Sequence, residues 1–175
     1  REIDLLLNIS ASPFTLDKKN LREKMLCSYF NDFEKPIIYV NQVGGQDELV
    51  FDGSSLVIDS KDSVRRLKSF EIDQAVIEIN KKNICSDLKE DQISNVGDIS
   101  DIYKALVLGT RDYVQKNNFK GILIGSSGGI DSALTAAVAT DALGPEKVNT
   151  VMMPFRYTAD MSLEDAQKLS KNLGF

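Results

Sequence analysis

Residues 121–134 read GILIGSSGGIDSAL: an apolar run, two serines, two glycines, and a restart that carries Asp131 and Ser132. A strand, a glycine turn and a helix start in this order can hold a phosphate, because backbone N–H groups converge where the helix dipole is positive. Ser127 and Ser132 add hydroxyls beside those N–H groups, and Asp131 adds a hard oxygen suited to magnesium. The bland alternative is a tight strand-to-helix connection in which the glycines serve geometry alone. Context favours binding, since the turn follows a parallel-type strand and opens a helix where α/β sheets place ligands. Two nucleotide motifs are excluded. A Walker loop needs Lys-Ser or Lys-Thr after its glycine, and Asp131-Ser132 stands there instead; the spacing Gly-x-Gly-x-x-Gly does not occur here.

Composition narrows the field further. With 175 residues, 42% hydrophobic and 27% charged, the chain suits one moderate domain or two small ones. A formal net charge of -5 and a pI near 4.8 argue against broad electrostatic binding to nucleic acid or to an anionic membrane. No secretory h-region is present, and no apolar run approaches the roughly 20 residues of a membrane span, so the expected location is cytoplasmic. The chain contains no histidine, which excludes Ser-His-Asp triads, Cys-His pairs and His-ligated metals within these residues. Cys27 and Cys85 match no zinc or redox spacing, and both read as structural.

The elements that position the loop follow from periodicity. EIDLLLNIS suits a buried strand, broken by Ser12 and Pro13; Leu21, Met25, Leu26, Tyr29 and Phe33 then recur at helical spacing. PIIYVNQV is β-branched and aromatic, as a strand should be, and Asp52-Gly53 between two apolar runs signals a hairpin. The segment to about residue 80 alternates apolar and polar residues, led by Phe70, Ile72, Ala75, Val76, Ile77 and Ile79, and predicts one more strand with irregular flanks. Residues 81–97 are polar and read as an interdomain linker. Beyond it come a helix ending at Asn117-Asn118, the strand GILIG, a helix stopped by Gly144-Pro145, the strand VNTVMMP, and a helix from Ser162 to Leu173 capped by Gly174. Gly109 inside the first of these helices calls for a close packing contact. This β-α-β-α order implies a parallel sheet.

Ser127-Gly128-Gly129-Ile130-Asp131-Ser132 resembles the SGGxDS signature of ATP pyrophosphatases, which cleave ATP to AMP and pyrophosphate while adenylating a substrate. That signature alone also suits GMP, asparagine and argininosuccinate synthetases and tRNA-modifying enzymes. Residues 102–144, followed by VMMPFRYTADMSLEDAQKLSKNLG, are similar to the start of the synthetase domain of glutamine-dependent NAD synthetases. LLLNISASPF with YVNQVGGQDELVFDGSSLVID resembles the second half of the nitrilase-like glutaminase domain fused in front of it. One departure is Ser126, where the family commonly has leucine.

The resemblance implies a fold of class α/β: a partial nitrilase-like α-β-β-α sandwich over residues 1–80, a linker over 81–97, and a partial Rossmann-like parallel ATP-binding domain over 98–175. It implies ATP binding by Gly125, Ser126, Ser127, Gly128, Gly129, Ile130, Asp131 and Ser132, with Mg2+ at Asp131. It further implies glutamine contacts at Ser12 and Lys18, an adenine contact along Met153, Pro154 and Phe155, deamido-NAD as the amidated substrate, and a homo-oligomer. For Lys18 a solvated surface charge is the competing reading. The nucleophilic cysteine, glutamate and lysine of the glutaminase have no match here, so these residues are expected to form no γ-glutamyl thioester and to be inactive alone. A different amidotransferase with the same loop, or a non-catalytic nucleotide-binding scaffold, are the rival readings.

Overall fold

The computed structural model describes residues 3–60, 63–80, 83–86, 88, 99–153 and 160–175, with α-helices and both parallel and antiparallel strands. It divides into two compact units, Arg1–Gly44 with Glu48–Ala105, and Gly45–Asp47 with Leu106–Phe175.

In the first unit, β1 (Leu6–Ser10) and β2 (Ile37–Asn41) run parallel, joined by the helix α1 (Lys18–Phe33). A parallel pair needs such a crossover. Glu34 ends the helix in the left-handed region at φ 51°, its N–H donating to the Phe30 carbonyl at 2.7 Å, and Pro36 prevents continuation. The short strands β3 (Val43–Gln46) and β4 (Leu49–Asp52) pair with each other, and the chain turns between them at Asp47 and Glu48. The strand β5 (Leu56–Ser60) lies antiparallel to β2 and to β6 (Ser63–Arg66), giving the sheet order β1-β2-β5-β6. Of the strand expected up to about residue 80 only β7 (Ile77–Asn80) is extended, and it pairs antiparallel with β8 (Asn83–Ser86), which occupies part of the stretch expected to be linker.

The hairpin expected at Asp52-Gly53 is therefore found one turn earlier. Asp52 is only 1% exposed and pairs with Arg22, so it serves as a buried anchor and not as a turn tip. Arg22 also decides which face of α1 meets the sheet. Of the apolar residues expected along that helix only Leu26 is buried, beside Ile37, Tyr39, Leu56 and Ile58; Leu21, Met25, Tyr29 and Phe33 are exposed. Burial works against the charged guanidinium, but the hydrogen bond and charge of Asp52, helped by Tyr39, reverse the balance and raise its pKa.

The helix α2 (Ile99–Lys116) belongs to the first unit up to Ala105 and to the second from Leu106, and in the second unit β9 (Ile122–Ser126), α3 (Ile130–Leu143), β10 (Val148–Met152) and α4 (Asp160–Leu173) follow it. β9 and β10 are parallel, as the β-α-β-α order requires, with Ser126 opposite Met152. The small Ala136 and Ala139 of α3 pack against Ile124 and Val148, with Leu169 and Leu173 of α4 alongside. Gly144 stops α3, and Gly174 stops α4 at φ 82°, its N–H donating to the Ser170 carbonyl. α4 begins two residues before Ser162, so Ser162 lies in its first turn and is not its cap. Gly109 has its close contact: a Cβ on Gly45 would lie 3.1 Å from the Gly109 Cα, and the Gly45 N–H donates to Asp112 Oδ2 at 2.8 Å.

The first unit should be sensitive to its buried pair and indifferent to its surface ones. Asp52→Ala leaves the Arg22 charge buried and unpaired, a loss of about 3–5 kcal/mol, whereas Glu71→Ala at the exposed Lys68–Glu71 pair costs about 0–1 kcal/mol. Denaturant midpoints of the two variants would show this difference.

Candidate nucleotide site

The apolar residues Ile122 and Ile124 drive β9 into the core, and the strand ends at Ser126, level with the end of β10. Chain reversal into α3 then requires a tight left-handed step, which Gly128 makes at φ 76°. A side chain there would collide, since a Cβ would come within 2.5 Å of the Ser162 carbonyl oxygen on α4. Gly129 occupies the N-cap position of α3 in extended conformation and supplies no side-chain cap. The first-turn N–H groups of Ile130, Asp131 and Ser132 therefore lack intrahelical acceptors and face outward beyond the carboxyl ends of the parallel strands.

The serines brace this loop. Ser132 Oγ donates to the Gly129 carbonyl at 2.9 Å and accepts the Ser127 N–H at 3.3 Å. Because that hydroxyl has one proton, the 3.2 Å contact between the two serine oxygens is donated by Ser127. Ser127 Oγ in turn accepts the Gly129 N–H at 3.3 Å. Thus Ser127, Gly128, Gly129 and Ser132 are brought together around one turn. Gly125 and Ser126 belong to the strand end, and Ile130, 80% exposed, and Asp131 lie on the open side of the first turn. Asp131 is a single carboxylate; among the described residues no cluster of three or more His, Cys, Asp or Glu could hold a metal.

A cavity of about 310 Å3 opens beside the loop, lined by Gly128, Gly129, Ala133 and, on α4, Asp165, Lys168 and Asn172. These α4 residues escaped the sequence reading. Their spacing on one helical face was the available signal, but polar residues on a terminal helix read equally well as solvated. Met153 follows β10 and is exposed; Pro154 and Phe155 lie outside the described residues.

Ser12 and Lys18 lie in the first unit, at the two ends of the connection from β1 to α1. Asn41 holds Ser12: its Oδ1 accepts the Ser12 N–H at 2.8 Å and its Nδ2 donates to the Ser12 carbonyl at 3.1 Å. Lys18 opens α1, half-buried. Cys27 packs against the core of that unit, where burial and the nearby Glu23 push its thiol pKa up, with Arg66 opposing. This is the reverse of what activates a nucleophile, which agrees with a structural role. The side chain of Cys85 lies outside the described residues.

The second unit is a strand–glycine-loop–helix unit of the kind that receives anionic ligands. Residues 102–175 match the family model for NAD synthase. Over 98% of its length the chain is 41% identical to a glutamine-dependent NAD(+) synthetase of Acinetobacter baylyi and 38% identical to one of Thermotoga maritima, covering 32% and 35% of those proteins. Among solved structures, it superposes with a TM-score of 0.87 on the glutamine-dependent NAD+ synthetase of Acinetobacter baumannii in complex with ADP, at 38% identity over 98% of this chain and 33% of that one. A Cytophaga hutchinsonii glutamine-dependent NAD(+) synthetase, at TM-score 0.73 and 19% identity, shares the fold, with 98% of this chain and 34% of that one covered. The chain is thus related to the glutamine-dependent NAD(+) synthetases, and it spans about a third of the length of the curated relatives it matches.

The two adjacent glycines should respond differently to one methyl group. Gly128→Ala, at positive φ and against Ser162, is expected to cost about 2 kcal/mol or more. Gly129→Ala meets only the movable Ser127 Oγ at 3.3 Å and should keep the fold. Paired thermal melts of both variants check this.

Proposed function

We propose that this protein takes part in glutamine-dependent synthesis of NAD: ATP adenylates the carboxylate of deamido-NAD, and ammonia from glutamine displaces AMP. One observation carries the reading. The open loop of residues 127–132 falls inside the part that matches NAD synthase, while the similarity to glutamine-dependent NAD(+) synthetases runs on through the first unit. On this reading residues 1–80 belong to a nitrilase-like glutaminase domain, residues 81–97 are a linker, and residues 98–175 open a Rossmann-like ATP-binding domain.

A carboxylate is a poor electrophile until its oxygen leaves as part of AMP. The loop assists by binding the charge that departs: the N–H groups of Ile130, Asp131 and Ser132 stabilise the developing pyrophosphate, in a turn already shaped by the serine hydrogen bonds. Lys168, at the cavity rim, is the cation on the same side, held 3.6 Å from the carboxylates of Glu164 and Asp165. Asp131 next to phosphate oxygens would be repulsive alone. One carboxylate plus substrate phosphates is, however, a donor set that fits magnesium, which would neutralise charge on the leaving group when bound. In the first unit, Ser12 and Lys18 offer a hydroxyl and a cation for the α-carboxylate of glutamine.

The test uses the full-length protein with deamido-NAD, ATP and magnesium, following NAD with glutamine or ammonium as nitrogen donor. NAD is expected from both donors, and Asp131→Ala should lower both rates by about 100-fold or more. Undiminished NAD formation by that variant would remove the metal and phosphate role from this loop; no NAD from either donor would overturn the reading.

A further inference from the structure

Ser12 sits in a loop that leaves β1 at its carboxyl end, the same end at which β2 finishes with Asn41. Nothing in strand pairing fixes Ser12, because the β1–β2 register stops at Ser10–Asn41. The loop is held instead by the Phe14 N–H, which donates to the Val50 carbonyl at 2.7 Å, and by the Asn41 carboxamide. That carboxamide pairs with both backbone groups of Ser12, as a neighbouring strand would.

Asn41 is itself over-determined. It is 7% exposed, its N–H donates to Ser55 Oγ at 3.0 Å, and its Nδ2 also reaches Asp52 Oδ1 at 3.3 Å. Asp52 is held by Arg22 and by the Ser54 hydroxyl at 3.2 Å. A buried charged network costs desolvation wherever it is placed. Here it holds one half-buried loop segment, Ser12, at the end of the parallel pair where ligands of α/β sheets bind.

We propose that Asn41 is a positioning residue for glutamine: it fixes the backbone of Ser12, and so the Ser12 hydroxyl, in the geometry that receives the substrate. The proposal rests on the reading of Ser12 given above and deepens it. Asn41 touches Ser12 and not the substrate, so its removal should act on glutamine through Ser12 alone. Contacts to a substrate carboxylate that does not react stabilise ground and transition states alike, which places the effect in KM more than in kcat.

In the full-length protein, Asn41→Ala is expected to raise the KM for glutamine about tenfold or more, with kcat changed by about threefold at most and the ammonium-dependent rate unchanged. Adding Asn41→Ala to Ser12→Ala should raise that KM no further, because the route through Ser12 is already gone. Ser55→Ala keeps the carboxamide but loses an anchor of its backbone, and should raise the glutamine KM in the same direction by a smaller factor. Should Asn41→Ala not fold, Ser55→Ala decides the matter. Parallel loss of the glutamine and ammonium rates, additive effects in the double variant, or an unchanged glutamine KM would each overturn the positioning role while leaving the proposed activity intact. Wild-type protein that makes NAD from ammonium but not from glutamine would overturn the glutamine reading and the positioning role together.

Discussion

On the proposed reading the first turn of α3 must stay open to an anion and so cannot carry a side-chain cap, and the packing around it in the second unit follows from that constraint. Glycine in place of a Ser, Thr, Asp or Asn cap costs only roughly a few tenths of a kcal/mol. Gly129 accepts this cost at α3, and hydrogen bonds from the neighbouring serines shape the open turn. Ser127 and Ser132 spend their hydroxyls on each other and on Gly129, so the turn is shaped before any ligand arrives. Gly128 allows α4 to approach until Ser162 lies against its backbone. The same approach brings Lys168 to the mouth of the cavity. Site and packing are thus set by one close contact.

The first unit meets a different constraint, a charge placed inside the fold. Arg22 and Asp52 join α1 to the end of β4, and Asn41, Ser54 and Ser55 fill in the remaining hydrogen bonds. Since a buried pair contributes less than its Coulomb attraction suggests, stability alone does not account for it. Its geometric effects are clear: it turns Leu26 toward the sheet and gives Asn41 a fixed partner beneath Ser12.

Local signals were legible in the sequence, and non-local ones were not. The order strand, glycine loop, helix, strand over residues 122–152 follows from apolar runs and glycines that act within a few residues, and the structure has it. The helix α1 was legible from its period, but its buried face was not, because Arg22 reads as a surface cation until Asp52, thirty residues away, is brought to it. The same long-range pairing made Asp52-Gly53 look like a turn, while the actual turn at Asp47 and Glu48 lay in a segment read as a loop. β6 and β8 are four-residue strands, too short for their period to stand out from polar neighbours. Within the nucleotide loop the residues that converge were named from sequence; Lys168 and Asn172 join them only through the packing of α4.

The central claim is that the loop at the start of α3 receives pyrophosphate, so that ATP is cut between its α and β phosphates. The most direct measurement supplies the full-length protein with ATP labelled at the α-phosphate, deamido-NAD and ammonium, and identifies the labelled product together with the phosphate released. The account predicts labelled AMP and pyrophosphate in equal amounts, matching the NAD formed. Labelled ADP with inorganic phosphate would contradict it.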